Sequence, residues 1–259
     1  MKKTITILAS LALLSLCNFA SAQDPQIFNH GSVGITAGID GIGIEAAMPI
    51  TPYLQIRGGY SLSPIPISFN YNYTDLNDGK LYKVPVKTNL WTGGMGKFML
   101  DIYPGSKTPF RFIAGAFFGS GKFVKGQIDL RGVVAQADWG TAGSLNGVTY
   151  GSTDKNGYGY FDVDVHKVLP YLGVGFGRAV DIHNRVSFTC ELGAAYTGGL
   201  DVIIYDYSNP NGAVAHSVTS KDFEEAGKDK DWDYGKTIDT IRGIPVLPML
   251  KVSLFVRLF

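Results

Sequence analysis

Single charged residues recur inside segments that otherwise alternate apolar and small residues, and they are the residues best placed to do chemistry. Two acids and three bases share this setting: Glu45, Arg57, Lys97, Arg111 and Glu191. Charges that leave water together are stable only when they are paired and hydrogen-bonded, so we expect a structural ion-pair network in an enclosed interior. The same side chains could instead line a narrow path for ions, and the sequence leaves both roles open.

A second polar group has the composition of a metal site. Asp162, Asp164 and His166 alternate along "FDVDVH", so they would share one side of a strand and could hold a divalent cation. We favour the plainer interpretation, a solvated strand extension. The run 229–235 resembles a calcium loop only superficially, because its glycine is one position late and Thr240 stands where a bidentate Glu is needed. We therefore expect no metal and no cofactor.

The first 22 residues have the order of a secretory signal peptide. Two lysines precede an apolar stretch from Ile5 to Leu16, and a small-residue cleavage site ends at Ala22. We expect export through the Sec pathway and a mature chain of residues 23–259. Loss of the two lysines lowers the 23 basic residues to 21, against 22 acidic ones. This near-neutral balance gives no electrostatic reason to expect nucleic-acid binding.

Composition points to strands in an exported protein. Glycine accounts for 33 of 259 residues, which is close to twice the usual share, and aromatic residues are plentiful. No apolar run after the signal is long enough for a transmembrane helix. Cys17 would leave with the signal, so Cys190 would have no partner for an internal disulfide.

Alternation of period two recurs in segments of about ten residues, which is typical of strands with two different faces. The connections alternate in length: short ones at 51–52, 104–108 and 181–184, and long ones at about 65–84, 125–160 and 206–245. Short periplasmic turns and long extracellular loops are typical of outer-membrane barrels. Glycines crowd the face that carries the charges, as a narrow barrel interior requires, so we expect polar residues inside and apolar residues against lipid.

The number of strands depends on a phase slip near the N-terminus. Apolar residues are at odd positions in 33–39 and at even positions in 42–50. A two-residue hairpin at Asp40-Gly41, with Ile39 opposite Ile42, would produce this slip. A single bulged strand would leave seven strands and an N-terminus on the wrong side of the membrane. We predict eight strands, at about 32–39, 42–50, 53–64, 88–103, 109–123, 165–180, 185–204 and 247–258.

These segments resemble a known family. "GIDGIGIEAAMPITPYLQIRGGY" and "LPYLGVGFG", with the signal peptide and a C-terminal phenylalanine, are similar to the small outer-membrane β-barrels of Gram-negative bacteria, the OmpA/OmpX-like or "porin family" barrels. The resemblance implies an eight-stranded antiparallel transmembrane β-barrel in the outer membrane of the cell envelope. It also implies contact with outer-membrane lipids and lipopolysaccharide.

The resemblance further implies that the barrel-assembly machinery reads the last strand, which ends at Phe259. The apolar phase of that strand ends instead at Leu258. Either Phe259 lies just past the strand pairing, or a bulge shifts the end by one residue.

The function that we expect is non-enzymatic, either structural or in displaying loops for binding. Loops 125–160 and 206–245 have a composition suited to recognition of an envelope protein, with Phe223 and Trp232 as anchors, although solvated loops without a fixed partner are the alternative. A narrow porin-like channel for small solutes is the second function. A lipid-modifying barrel enzyme is the third, and it is weakened because the four histidines stand in no triad order and no catalytic residue is recognisable.

Overall fold

The structure is a computed structural model that describes residues 28–63, 66–74, 81–140, 143–145, 148–150, 153–209, 211–219 and 239–259. The expected signal peptide, residues 1–22, lies outside the described residues, and so do Phe223 and Trp232. Apart from a short 3-10 turn at Gln136–Asp138 and a helical turn at 239–242, the described elements are strands. No helix in the described ranges is long and apolar enough to cross a membrane.

Sixteen strands are formed by the described residues. They are β1 (Ser32–Gly38), β2 (Gly41–Thr51), β3 (Leu54–Leu62), β4 (Ile67–Thr74), β5 (Leu81–Leu90), β6 (Met95–Ile102), β7 (Phe110–Gly119), β8 (Lys122–Asp129), β9 (Gly143–Leu145), β10 (Val148–Tyr150), β11 (Tyr158–Asp164), β12 (Val168–Phe176), β13 (Val186–Tyr196), β14 (Asp201–Asp206), β15 (Val214–Ser217) and β16 (Val246–Arg257).

Eight of these strands close into an antiparallel barrel, in the order β1-β16-β13-β12-β7-β6-β3-β2. The predicted eight-stranded antiparallel barrel is therefore confirmed. Barrel strands end earlier than the alternation predicted in several places, because glycines with positive φ angles break the phase. Gly177 (φ 94°) follows β12, and Gly198 (φ 74°) follows β13.

The long connections contain a second sheet that the sequence analysis did not predict. Six strands pair in the order β15-β14-β11-β8-β5-β4, and they continue the barrel hairpins beyond one end of the barrel. The prediction that about 65–84, 125–160 and 206–245 are loops is wrong where these strands lie. Their composition differs from that of the barrel strands: β4, "ISFNYNYT", alternates apolar or aromatic residues with Ser and Asn, and β5, "LYKVPVKTNL", contains two lysines and a proline.

The first hairpin exists, but its turn lies one residue earlier than predicted. Gly38 pairs with Gly41, so the two turn residues are Ile39 and Asp40. Asp40 is only 1% exposed, because its carboxylate turns into the barrel mouth and accepts hydrogen bonds from Ser61 (2.7 Å) and the Lys97 ammonium (2.8 Å). These buried contacts outweigh the preference of the Asp-Gly dipeptide for the turn itself.

The last strand pairs without a register shift along both of its edges and ends at Arg257. Phe259 therefore lies past the strand pairing, which is the first of the two predicted alternatives. Its carbonyl is 3.1 Å from the His30 ring, and the backbone N–H of Leu258 donates to the Gly31 carbonyl (2.8 Å).

The two faces of the barrel wall differ in charge, because only the inner face carries charged side chains. Positions that point outward hold glycine, alanine, proline, cysteine and larger apolar or aromatic residues, with no charged side chain among them. Many are strongly exposed, including Leu172 (70%), Ile44 (64%) and Phe188 (63%). The charged side chains of the barrel strands point inward, as the alternation predicted, and all are buried except the half-buried Arg257 at the end of β16.

Candidate functional site

The barrel interior is a buried cluster of charges, and it is the most distinctive chemical feature of the described residues. Eight side chains meet there, none more than 4% exposed: Asp40, Glu45, Arg57, Lys97, Asp101, Arg111, Glu191 and Lys251. The five residues predicted from the sequence are all among them. Four acids face four bases, so the cluster has no net formal charge when every member is ionised.

Arg57 lies at the centre of this cluster. Its guanidinium donates to both Asp101 oxygens, with Nε at 2.7 Å and Nη2 at 2.9 Å. Further hydrogen bonds of 2.7 Å reach Glu45 and Glu191. One guanidinium thus connects carboxylates from three other strands, β2, β6 and β13. The planar fork of arginine suits this task, since it offers five donors in fixed directions.

Arg111 extends the cluster toward the end of β12. Its Nη2 donates to Glu191 at 3.1 Å, while its Nε lies 3.5 Å from Asp101, which is longer than a good hydrogen bond. A further hydrogen bond runs from Nη1 to the Gly177 carbonyl. Space for this long side chain comes from Gly175 on the neighbouring strand, where a Cβ atom would lie 3.0 Å from Arg111 Nε.

Two lysines complete the pairing of the acids. Lys251 reaches Glu45 at 2.5 Å and Glu191 at 2.7 Å, and Glu191 is also its direct neighbour across β13 and β16. Lys97 lies 2.8 Å from Asp40 and 2.9 Å from Glu45. Every acid of the cluster therefore contacts at least one base.

Asp40, Asp101 and Lys251 are the cluster members that the sequence analysis did not select. Asp101 and Lys251 share the phase of the inward residues of their strands, so extending the alternation to each strand's end would have found them. Asp40 has no such signal, because it belongs to a turn.

Apolar side chains fill the interior beside the charges. Met95, Met99, Ile113, Phe117 and Tyr171 belong to one buried cluster. Trp91 joins it from just beyond β5 and donates its indole N–H to the Ile39 carbonyl (2.9 Å), so it spans the mouth on the side of the second sheet. Eight-stranded barrels have an interior just wide enough for side chains to fill, and this interior is filled in that way.

The turn after β12 closes the opposite mouth. Ala179 and Val180 are each 1% exposed and pack against Ala47 and Phe255 inside the barrel. Gln55 holds the backbone of Val180 with two hydrogen bonds, its amide donating to the carbonyl (2.8 Å) and accepting from the N–H (3.2 Å). We call residues 177–185 the inserted turn.

Arg178 fastens the inserted turn to its neighbours. The guanidinium lies 3.9 Å from the centre of the Tyr103 ring and donates to the carbonyls of Pro52, Ser106 and Thr108. These carbonyls belong to the two other short turns at this end. Burial lowers the pKa of Arg178 from its ordinary value, although Tyr103 and Asp181 oppose this shift. Its charge is kept because an arginine remains protonated at any physiological pH.

A smaller polar cluster lies in the second sheet. Lys122 pairs with Asp164 (2.8 Å) and with Asp162 (3.1 Å), and the Tyr205 hydroxyl donates to Asp162 (2.7 Å). Burial alone would lower the pKa of Lys122, but the hydrogen bonds to both carboxylates raise it well above its ordinary value. The hydrogen bond to Asp162 raises the pKa of Tyr205, and burial adds to the shift.

The "FDVDVH" group does not assemble as a metal site. Asp162 and Asp164 share Lys122, whereas the His166 ring lies against Gly198. Across the described ranges, no three His, Cys, Asp or Glu side chains are arranged to hold a metal ion. The expectation of a solvated extension is wrong for Asp162, which is only 1% exposed.

Comparisons with known proteins give only remote likenesses. No protein-family model matches the chain, and no curated protein matches it. The solved structure of CarO from Acinetobacter baumannii is 16% identical, with a TM-score of 0.46 over 90% of this chain and 99% of that chain. CarO2 from the same organism is 14% identical, with a TM-score of 0.46 over 88% of this chain and 98% of that chain.

A major outer membrane protein from Thermus thermophilus is also similar. It is 14% identical, with a TM-score of 0.41 over 88% of this chain and 98% of that chain. The barrel fold is established by the strand pairing of the chain itself.

Proposed function

We propose that this chain is an outer-membrane β-barrel protein with a closed lumen, and that it acts through its outer sheet and loops in a structural or display role. The interior carries this proposal, because its four acids and four bases pair with one another, so none of these eight described side chains is left unpaired to bind a passing ion. No catalytic role is proposed for any residue.

The outer surface of the barrel supports a membrane location. A belt of exposed apolar residues surrounds the wall, and in water it would cost about 25 cal/mol for each Å² left uncovered. In a bilayer, lipid tails cover the same belt and keep it out of water, so the exposure costs no free energy. A closed antiparallel barrel also satisfies its backbone groups within the sheet, which is the condition that a bilayer imposes.

The orientation follows from the lengths of the connections. The inserted turn and the two turns that Arg178 contacts are short, and they lie at one end together with the first and last described residues. We assign this end to the periplasm. The six-stranded sheet lies at the other end and would face the exterior. Lipopolysaccharide and other outer-membrane lipids are the expected surroundings, and the barrel-assembly machinery is the expected partner during insertion.

A single measurement separates this role from the narrow channel considered above. The refolded full chain is added to a planar lipid bilayer after protease protection in vesicles has established insertion. We expect no steady current from inserted protein, because the lumen is filled by paired side chains. Stable ohmic steps whose ion selectivity changes in Arg111→Glu would contradict the closed lumen and favour the channel.

A further inference from the structure

The second sheet has an open edge at β4. Every residue of β4 pairs with β5, from Ile67 opposite Thr88 to Thr74 opposite Leu81, and no described strand pairs with its other side. Residues 67–72 are all exposed on both faces. We propose that this edge binds an extended segment of a partner protein as an added strand. The inference rests on the proposed display role and names the partner's chemistry.

The direction of the backbone groups follows from one hydrogen bond. The Thr88 hydroxyl donates to the Ile67 carbonyl at 3.2 Å, so this carbonyl points toward β5. In an antiparallel strand the N–H and C=O of one residue point to the same side, and successive residues alternate. Ser68, Asn70 and Asn72 therefore direct their backbone donors and acceptors away from β5. Their spacing matches the hydrogen-bonding pattern of another strand.

This edge lacks the features by which proteins usually prevent pairing with other chains. Natural edge strands are protected by charged side chains, prolines, bulges or short length. Residues 67–74 contain no charged residue and no proline, and their pairing with β5 has no register shift. Eight residues of strand span about 27 Å, which is long enough for a partner segment of ordinary strand length.

The side chains of β4 indicate what such a segment would contain. Ile67, Phe69 and Tyr71 share one face and are 47%, 51% and 56% exposed, while Ser68, Asn70 and Asn72 share the other. Cross-strand neighbours on one face stabilise a sheet when apolar residues meet aromatic ones. The partner segment should therefore be uncharged, with apolar or aromatic residues at every second position. Backbone pairing along the whole edge favours a polypeptide over a glycan or a lipid, which have no amide repeat.

The test uses a defined peptide in place of the unidentified partner. The probe is a fluorescent peptide with the sequence of residues 67–74 between solubilising lysines, titrated by anisotropy against the folded full chain in detergent. The informative variant is Asn70→Pro, which removes an N–H at the open edge and keeps the pairing with β5, since that N–H points away from it. Asn70→Ala is the matched control, because it removes the same side chain and keeps the N–H.

We expect saturable binding to the natural chain and to Asn70→Ala, and affinity at least ten-fold lower for Asn70→Pro. A probe peptide N-methylated at alternate amides should not bind. Equal affinity for all three proteins, or no binding by the natural chain, would overturn the proposal. Heat-modifiable migration on gels verifies that each variant is folded, and Ser68→Pro provides a second edge variant if Asn70→Pro does not fold.

The oligomeric state and the ionic current distinguish two further outcomes. If the natural chain is a dimer in detergent and Asn70→Pro is a monomer, a second copy occupies the edge and the partner-protein proposal is wrong. Ionic current in the bilayer would contradict the closed lumen but would leave the peptide titration unaffected. Failure of this inference and failure of the proposed function are thus distinguished by different measurements.

Discussion

Arg57 and Asp101 form a two-point ion pair inside the barrel, with Nε to Oδ2 at 2.7 Å and Nη2 to Oδ1 at 2.9 Å. Both side chains are at most 1% exposed, and they come from the neighbouring strands β3 and β6. Because Arg57 also contacts Glu45 and Glu191, it neutralises carboxylates that would otherwise repel one another in a medium of low polarity. The stability of the barrel should therefore depend strongly on this one guanidinium.

Replacing Arg57 by methionine tests that dependence. Among the described residues, Arg57→Met leaves Asp101 with only the long contact to Arg111, and it removes one base from a balanced cluster. We expect the free energy of unfolding to fall by about 3–5 kcal/mol, the usual effect of leaving a buried charge without its partner. Urea unfolding in detergent micelles or lipid vesicles measures it. The control Arg131→Met removes an exposed arginine paired with Asp129 and should leave the urea midpoint of unfolding unchanged. Equal midpoints for the natural chain and both variants would contradict the structural role of Arg57.

Gly41 should tolerate no side chain. Its φ angle is 101°, and a Cβ atom there would lie 2.1 Å from the Leu62 carbonyl oxygen. Gly41→Ala should lower the free energy of unfolding by about 1–3 kcal/mol from backbone strain, and the clash with the Leu62 carbonyl should add to this loss. The control Gly132→Ala places its methyl group where no atom lies within 4 Å. Similar unfolding midpoints for these two variants would show that the β1–β2 turn differs from the one described.

The inserted turn should loosen when Gln55 is shortened. Gln55→Ala removes both hydrogen bonds to the Val180 backbone, so the Val180 N–H loses its acceptor inside the barrel mouth. We expect faster hydrogen exchange at residues 178–181 and a loss of about 1–3 kcal/mol for the buried groups left unpaired. Hydrogen exchange with mass spectrometry measures the effect. Gln127→Ala, in the second sheet, should leave exchange at the inserted turn unaltered. The same result for Gln55→Ala would contradict the role of Gln55 in holding the turn.

Tyr205 should titrate above its ordinary pKa of 10.0, because its hydroxyl donates to Asp162 and is partly buried. A raised pKa favours the neutral phenol, so the stabilisation is present below the unfolded pKa and is lost as the pH rises through the folded one. In Asp162→Asn the pKa of Tyr205 should fall toward 10.0, as followed by NMR of ring-labelled tyrosine. Asp129→Asn serves as the control, and an unchanged Tyr205 titration in Asp162→Asn would refute the contribution of the hydrogen bond.

The sequence alone determined the barrel and the chemistry of its two faces. Period-two alternation specifies which residues share a face, so Arg57 and Arg111 could be assigned to the interior and Ile44 and Leu172 to the exterior without coordinates. The phase slip between Ile39 and Ile42, taken together with the alternating lengths of the connections, then predicted eight barrel strands. Alternation and the phase slip are local properties, and each follows from residues close together in the chain.

Tertiary structure decided the contacts between distant strands. Arg57 and Glu191 are 134 residues apart, and only closure of the barrel brings their side chains within 2.7 Å. Likewise, Asp40 leaves the expected turn position because Lys97 and Ser61 offer it buried hydrogen bonds. The second sheet escaped prediction for a related reason: its order, β15-β14-β11-β8-β5-β4, joins strands from three separate connections, and alternation within one segment does not reveal which distant segment lies beside it.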